Sequence, residues 1–176
     1  MAEEVKKKQN TMNTFKLGKV VLNIGGTGDK LEKGYILLEK LSGKKPVKVK
    51  AKKRIPTWSV RPGMEVGCKV TLRGKEAVEM LKRCLPAIDN TIKSKQIQDN
   101  FFSFGIEEYI EIPTMEYLRD VGIMGFEISV VFSRAGKYVE RRKVKRSKAK
   151  RSVVKKEEIK EFLESNYGTK ILEGKK

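Results

Sequence analysis

The sequence predicts a two-layer α+β sandwich, with a mostly antiparallel sheet, helices on one face and the other face open. Three observations predict it. Strand-like and helix-like stretches interleave in the order strand, helix, strand, strand, helix, strands, helix. The strand-like stretches alternate apolar and polar residues, so each offers one face to a core and one to water. The helix-like stretches carry a single apolar stripe, which fits them to cover one face of the sheet.

Residues 1–13 are expected to form a flexible tail, residues 14–172 a single domain, and residues 173–176 a short C-terminal tail. The first strand runs from Phe15 to Gly25, with Val20, Leu22 and Ile24 on one face and Lys19, Val21 and Asn23 on the other. Gly25-Gly26-Thr27-Gly28-Asp29 breaks this strand and opens a helix, with Thr27 as its cap and Asp29 at the positive end of its dipole. Leu31, Tyr35 and Leu38 keep helical spacing, and Ser42-Gly43 closes the helix. A short strand follows over Pro46 to Ala51, with Val47 and Val49 on one face and Lys48 and Lys50 on the other. Residues 51–63, AKKRIPTWSVRPG, read as an extended loop. Glu65 to Arg73 alternates without a fault: Val66, Cys68, Val70 and Leu72 against Lys69, Thr71 and Arg73. A helix from Gly74 lines up Ala77, Val78, Leu81, Cys84 and Leu85. Residues 86–100 read as irregular. Phe101 to Ile112 reads as a strand region interrupted near Gly105, and Phe126 to Ser133 as another alternating strand. A second extended loop covers residues 134–151, and Lys156 to Tyr167 is a helix with Ile159, Phe162 and Leu163 inward.

Composition narrows the function. The chain has 40 Lys and Arg against 22 Asp and Glu, a net charge of +18, which calls for a polyanionic partner. The excess is local. Residues 1–63 hold 16 bases against 5 acids, and residues 134–156 hold 12 against 1, so each block carries +11. The intervening residues 64–133 hold 8 against 11, like an ordinary globular sequence. Two basic blocks around a near-neutral core are the pattern of a nucleic-acid footprint. No apolar run is long enough to span a bilayer, and the polar residues 1–10 lack the apolar stretch of a secretory signal, so no membrane partner is expected.

Catalysis is not expected. The chain has no histidine, which removes the commonest general base and zinc ligand. The acids Glu107, Glu108, Glu111, Glu116, Asp120 and Glu127 are scattered, without the clustering a metal or an acid–base pair needs. Gly26-x-Gly28 follows a strand, but position 31 is Leu, so the dinucleotide fingerprint is incomplete. That turn is read as structural, with amides that suit a phosphate. Cys68 and Cys84 fall on core-facing positions and read as small buried hydrophobes. No cofactor, metal or small-molecule substrate is expected.

Three candidate contact regions remain. Alternation places Lys19, Asn23, Lys48, Lys50, Lys69, Thr71 and Arg73 on the open face, where amide, hydroxyl and cationic groups suit RNA read through its backbone. The competing reading is a merely solvated sheet face. In the loop, Lys50, Lys52, Lys53, Arg54 and Arg61 surround Trp58, the only tryptophan, a pattern that suits nucleic acid. The alternative is that Trp58 folds back as a core anchor. The third region is the basic insert, with Arg141, Arg142, Lys143, Lys145, Arg146, Lys148, Lys150 and Arg151, expected to order on a polyanion. A nuclear-localisation signal is its weaker rival reading.

Several segments together resemble one family. VVLNIGGTGDKL, LSGKKPVKVKAKKRI, RPGMEVGCKVTLRG, DNFFSFGIEE and VGIMGFEISVVFSRAG, in this order, resemble the universal large-subunit ribosomal proteins of the L-five family, whose eukaryotic counterpart is called L-eleven. The resemblance covers residues 14–172, and the basic insert is similar to that of the archaeal and eukaryotic branch. It implies a cytoplasmic, structural component of the ribosomal central protuberance that binds 5S rRNA and adjacent large-subunit rRNA. It further implies contact with P-site tRNA and with a small-subunit head protein of the S-thirteen family. By motif, Asn23, Lys44 and Thr71 match positions expected at 5S rRNA, and the loop from Lys50 to Arg61 matches the tRNA-facing loop. Asp99 departs from the family's usual Gly before its Asn-aromatic pair. The alternative function is a free RNA-binding regulator or RNA chaperone.

Overall fold

The computed structural model describes residues 13–113, 115–147 and 153–172, with the backbone alone for Arg141. Its main sheet has six strands in the order β2-β3-β1-β7-β6-β5. They are β1 (Phe15–Gly25), β2 (Val47–Lys50), β3 (Glu65–Leu72), β5 (Ile97–Gln98), β6 (Phe101–Ile106) and β7 (Phe126–Arg134). Every pairing in this sheet is antiparallel. Two further strands, β4 (Thr91–Lys93) and β8 (Lys170–Leu172), pair in parallel as a separate small sheet.

The helices α1 (Asp29–Ser42), α2 (Lys75–Cys84) and α4 (Lys156–Tyr167) pack on one face of the main sheet, and the short α3 (Tyr138–Arg141) follows β7. The core they share with the sheet joins Val20, Leu22 and Ile24 of β1 to Cys68, Val70 and Leu72 of β3 and to Ile128, Val130 and Phe132 of β7. Helix α1 lies close over β1 and β3. A Cβ added at Gly34 would fall 2.9 Å from Ile24 Cγ2 and 3.5 Å from Cys68 Sγ, so only glycine allows this approach. Helix α4 docks through aromatic edges. Phe162 meets Phe15 and Phe132 at ring-centroid distances of 5.4 Å each.

The expected sandwich is therefore the observed one, with corrections in detail. Gly28, at φ 60°, is the N-cap of α1, and no side chain caps it; Thr27 does not. The strand expected to break near Gly105 runs unbroken to Ile106. A 3-10 turn at Tyr109–Glu111 follows it, anchored by the buried Tyr109, whose hydroxyl accepts the Leu118 N–H at 2.8 Å. The stretch 86–100, read as irregular, contains β4 and β5. Asp99 causes no strain, because the left-handed residue of that turn is Asn100, at φ 70°. Asn100 also bonds the backbone of Val154 in both directions, at 2.9 and 2.8 Å, and so pins the chain where it returns from the basic insert. The tails expected at residues 1–13 and 173–176 lie outside the described residues, apart from Asn13.

Candidate nucleic-acid interface

Cross-strand partners in an antiparallel sheet share a face, so the register determines what the helix-free side presents. One row across that side reads Val47, Lys69, Asn23, Glu127 and Gly105. The next reads Thr71, Val21, Ser129 and Ser103. A third joins Lys19, Val131 and Phe101. Lys19 lies on this side with Val21 and Asn23 by alternation, and a bulge just before it turns Leu17 to the core side. Two residues before it, Leu17 pairs with the core residue Phe132, and the extra residue Gly18 shifts the parity. A Cβ at Gly18 would stand 2.9 Å from Ser133 Oγ and 3.2 Å from the Val131 carbonyl, so glycine is what lets the bulge form.

Lys19, Asn23, Lys69 and Thr71 thus come together on one open surface. Asn23 Nδ2 lies 3.5 Å from Glu127 Oε2, a long contact at the edge of hydrogen-bond range. Sequence reading passed over Glu127 as one of several scattered acids. Phe101 was also missed; it brings a half-buried aromatic ring to the open face.

The register corrects the face of Lys48. Lys48 pairs with the core residue Cys68, so it lies on the helix side, while Val47, 61% exposed, and Val49 look out from the open side. The register shifts between Val49 and Lys50, where Lys50 pairs with Glu65 and is exposed at the end of the strand. A four-residue edge strand with two valines and two lysines has no apolar face of its own to bury, so its pattern could not orient it. Lys48 Nζ donates to Glu65 Oε2 at 2.9 Å, and this bond is the main reason that its pKa is raised. Lys44 likewise sits away from the open face and is ion-paired with Glu76 of α2. Arg73 lies just beyond the end of β3 and is exposed.

The loop expected at 51–63 is a closed excursion. Ala51 bonds Met64 and Gly63 at its base, and Ile55 and Val60 bond each other higher up, at 3.0 and 3.1 Å. Between them Pro56–Trp58 makes a 3-10 turn. Trp58 is 73% exposed, so it is not a core anchor; Val60 is the buried residue of the loop. Lys52, Lys53, Arg54 and Arg61 are exposed around it. A cleft of about 600 Å³ lies between this loop and the Gly26–Thr27 turn.

In the basic insert, Arg142 Nε donates to the Lys145 carbonyl at 2.8 Å, bracing a turn in which Lys145 takes φ 52°. Lys143, Lys145 and Arg146 are exposed there, and Tyr138 is 76% exposed. Lys148, Lys150 and Arg151 lie outside the described residues, as does the side chain of Arg141. At the foot of the insert, Arg134 Nη2 bonds Glu158 Oε1 at 2.6 Å and is also close to Oε2. That hydrogen bond holds the Glu158 carboxyl below its usual range.

Among the described residues no three His, Cys, Asp or Glu gather to hold a metal ion, and no helix is long and apolar enough to cross a membrane. Both cysteines are buried, and burial pushes the Cys84 thiol up to about 12, which leaves it almost without thiolate.

A helix-backed sheet with an open polar face and two cationic loops defines an RNA-binding α+β protein. Comparison with known proteins gives the family. Residues 65–164 match the model of the C-terminal part of the ribosomal L5 family, and residues 10–61 match that of ribosomal protein L5. The chain is 48% identical over 140 residues to the large ribosomal subunit protein uL5 of Nanoarchaeum equitans, covering 78% of this chain and 83% of that one. It is 39% identical over 179 residues to the protein of that name from Sulfolobus acidocaldarius, covering 99% and 100%. With the corresponding protein of Archaeoglobus fulgidus it shares 41% over 149 residues, or 82% and 84% of the two chains. The chain belongs to the ribosomal protein L5 family, in its archaeal form, and is a structural protein of the large ribosomal subunit and not an enzyme.

Proposed function

We propose that this chain holds 5S rRNA and the adjacent large-subunit rRNA in the central protuberance through its helix-free sheet face. We further propose that the loop 51–63 contacts P-site tRNA and that the protein meets a small-subunit head protein of the S-thirteen family. The carrying observation is the convergence of Lys19, Asn23, Lys69 and Thr71 on one open surface of β1 and β3. These groups can donate to phosphate and 2′-hydroxyl oxygens, which is how folded RNA is bound by shape. Asn23 and Thr71 are also positions that the family resemblance assigns to 5S rRNA. Lys44 and Lys48 join this contact only by exchanging Glu76 and Glu65 for phosphate, since both are ion-paired in the free protein. The exposed cations and Trp58 support the loop assignment, and Arg142, Lys143, Lys145 and Arg146 support a polyanion contact for the insert.

Sedimentation at physiological salt separates this reading from a free RNA-binding regulator. A ribosomal component travels with the large subunit of cytoplasmic ribosomes. Recovery of the protein in the slow fractions, free or on other RNA, favours the regulator.

A further inference from the structure

The cleft beside Trp58 has a composition that backbone binding alone does not require. Its volume of about 600 Å³ lies within the range of small-ligand clefts, roughly 300–1,000 Å³. Trp58 lines it on the loop side and the Gly26–Thr27 turn on the other, with the apolar Val60 and Val66 between. Lys52 and Lys53 stand at its margin, and among the described residues no acid lines it. Two elements far apart in sequence build it, and the loop that carries Trp58 is braced by backbone bonds of 2.8–3.1 Å at its base and middle.

We infer that this cleft takes one unstacked nucleobase of a folded RNA. The base stacks on the indole, and its phosphate lies against Lys52 and Lys53. An aromatic ring beside cations is what an extruded base needs: the ring replaces the lost stacking, and the charge neutralises the backbone. A protein reading only phosphates gains nothing from exposing its sole tryptophan over an apolar recess. The stacking is sequence-tolerant, because every base has a π-face. The inference rests on the RNA-binding reading and adds a specific mode to it.

The single tryptophan makes the test direct. The full chain is titrated with two RNA hairpins, one fully paired and one carrying a single bulged adenosine, while its fluorescence is followed. The bulged hairpin quenches Trp58 and binds more tightly, and the paired hairpin binds without comparable quenching. Trp58→Ala lowers affinity for the bulged hairpin on the order of tenfold and leaves the paired one nearly unchanged. Ala51→Leu, which narrows the cleft at one wall and keeps the indole, also weakens the preference. Equal binding of both hairpins by the native chain, with no difference in quenching, overturns the cleft proposal and spares RNA binding. Binding of neither overturns both.

Discussion

Asn23 and Thr71 show how a residue can serve binding with little part in folding. Both point away from the helices, on the side of β1 and β3 opposite Leu22 and Val70. Replacing either with Ala removes a hydrogen-bonding group but no core volume. Circular-dichroism melts of Asn23→Ala and Thr71→Ala are expected to stay close to that of the native chain. Affinity for 5S rRNA in filter binding falls by about 0.5–1.5 kcal/mol for each lost hydrogen bond, a few-fold in Kd. A variant that unfolds and yet spares RNA affinity refutes the face assignment. Glu158 makes the contrasting case, since its bond to Arg134 ties the foot of the insert to α4. Its folded pKa is lowered, so its contribution to stability is present above the unfolded carboxyl pKa of about 4.3 and is lost as pH falls through the folded value. Arg134→Met is therefore expected to be less stable than the native chain at neutral pH. In urea titrations the difference narrows as pH drops below about 4. A difference that stays constant with pH means that the ion pair is not its cause.

At the scale of elements, strands and helices with strong periodicity were legible, and their limits match: β1 at Phe15–Gly25 and α4 at Lys156–Tyr167. What was not legible has a physical reason in each case. The β4–β8 pairing joins three residues to three across nearly half of the chain, and no local pattern encodes a partner so distant. The orientation of β2 depends on its register with β3, which placed Lys48 beside Cys68 and not beside Lys69. The parity change at Gly18 follows from an unpaired residue, visible only once Leu17 is seen opposite Phe132. The placement of Asn23, Lys69 and Thr71 on the open face was legible because they lie on long strands that alternate cleanly. The loop 51–63 is a separate element with its own expected effect. Replacing Lys52, Lys53 and Arg54 together with Ala is expected to leave 5S rRNA affinity within about twofold, because these residues stand off the sheet face, and to lower P-site tRNA occupancy of reconstituted ribosomes. A large loss of 5S affinity moves the loop into the rRNA contact.

For the whole molecule, the charge and the fold divide the work. The net +18 is carried by the first 63 residues and the segment 134–156, while the helices and the sheet enclose an ordinary apolar core. Binding to 5S rRNA is therefore expected to depend steeply on salt. The log–log slope is about −0.7 to −0.9 for each phosphate contact, by analogy with other nucleic acids. A flat dependence rules out the electrostatic account of the two basic blocks. The helix-free face of β1 and β3 is the surface proposed to meet 5S rRNA. Protein–RNA crosslinking in purified large subunits, resolved to single residues and nucleotides, tests it most directly. 5S crosslinks are expected at Lys19, Asn23, Lys69 and Thr71. Crosslinks of 5S rRNA confined to the helix-covered side, at α1, α2 or α4, contradict that proposal.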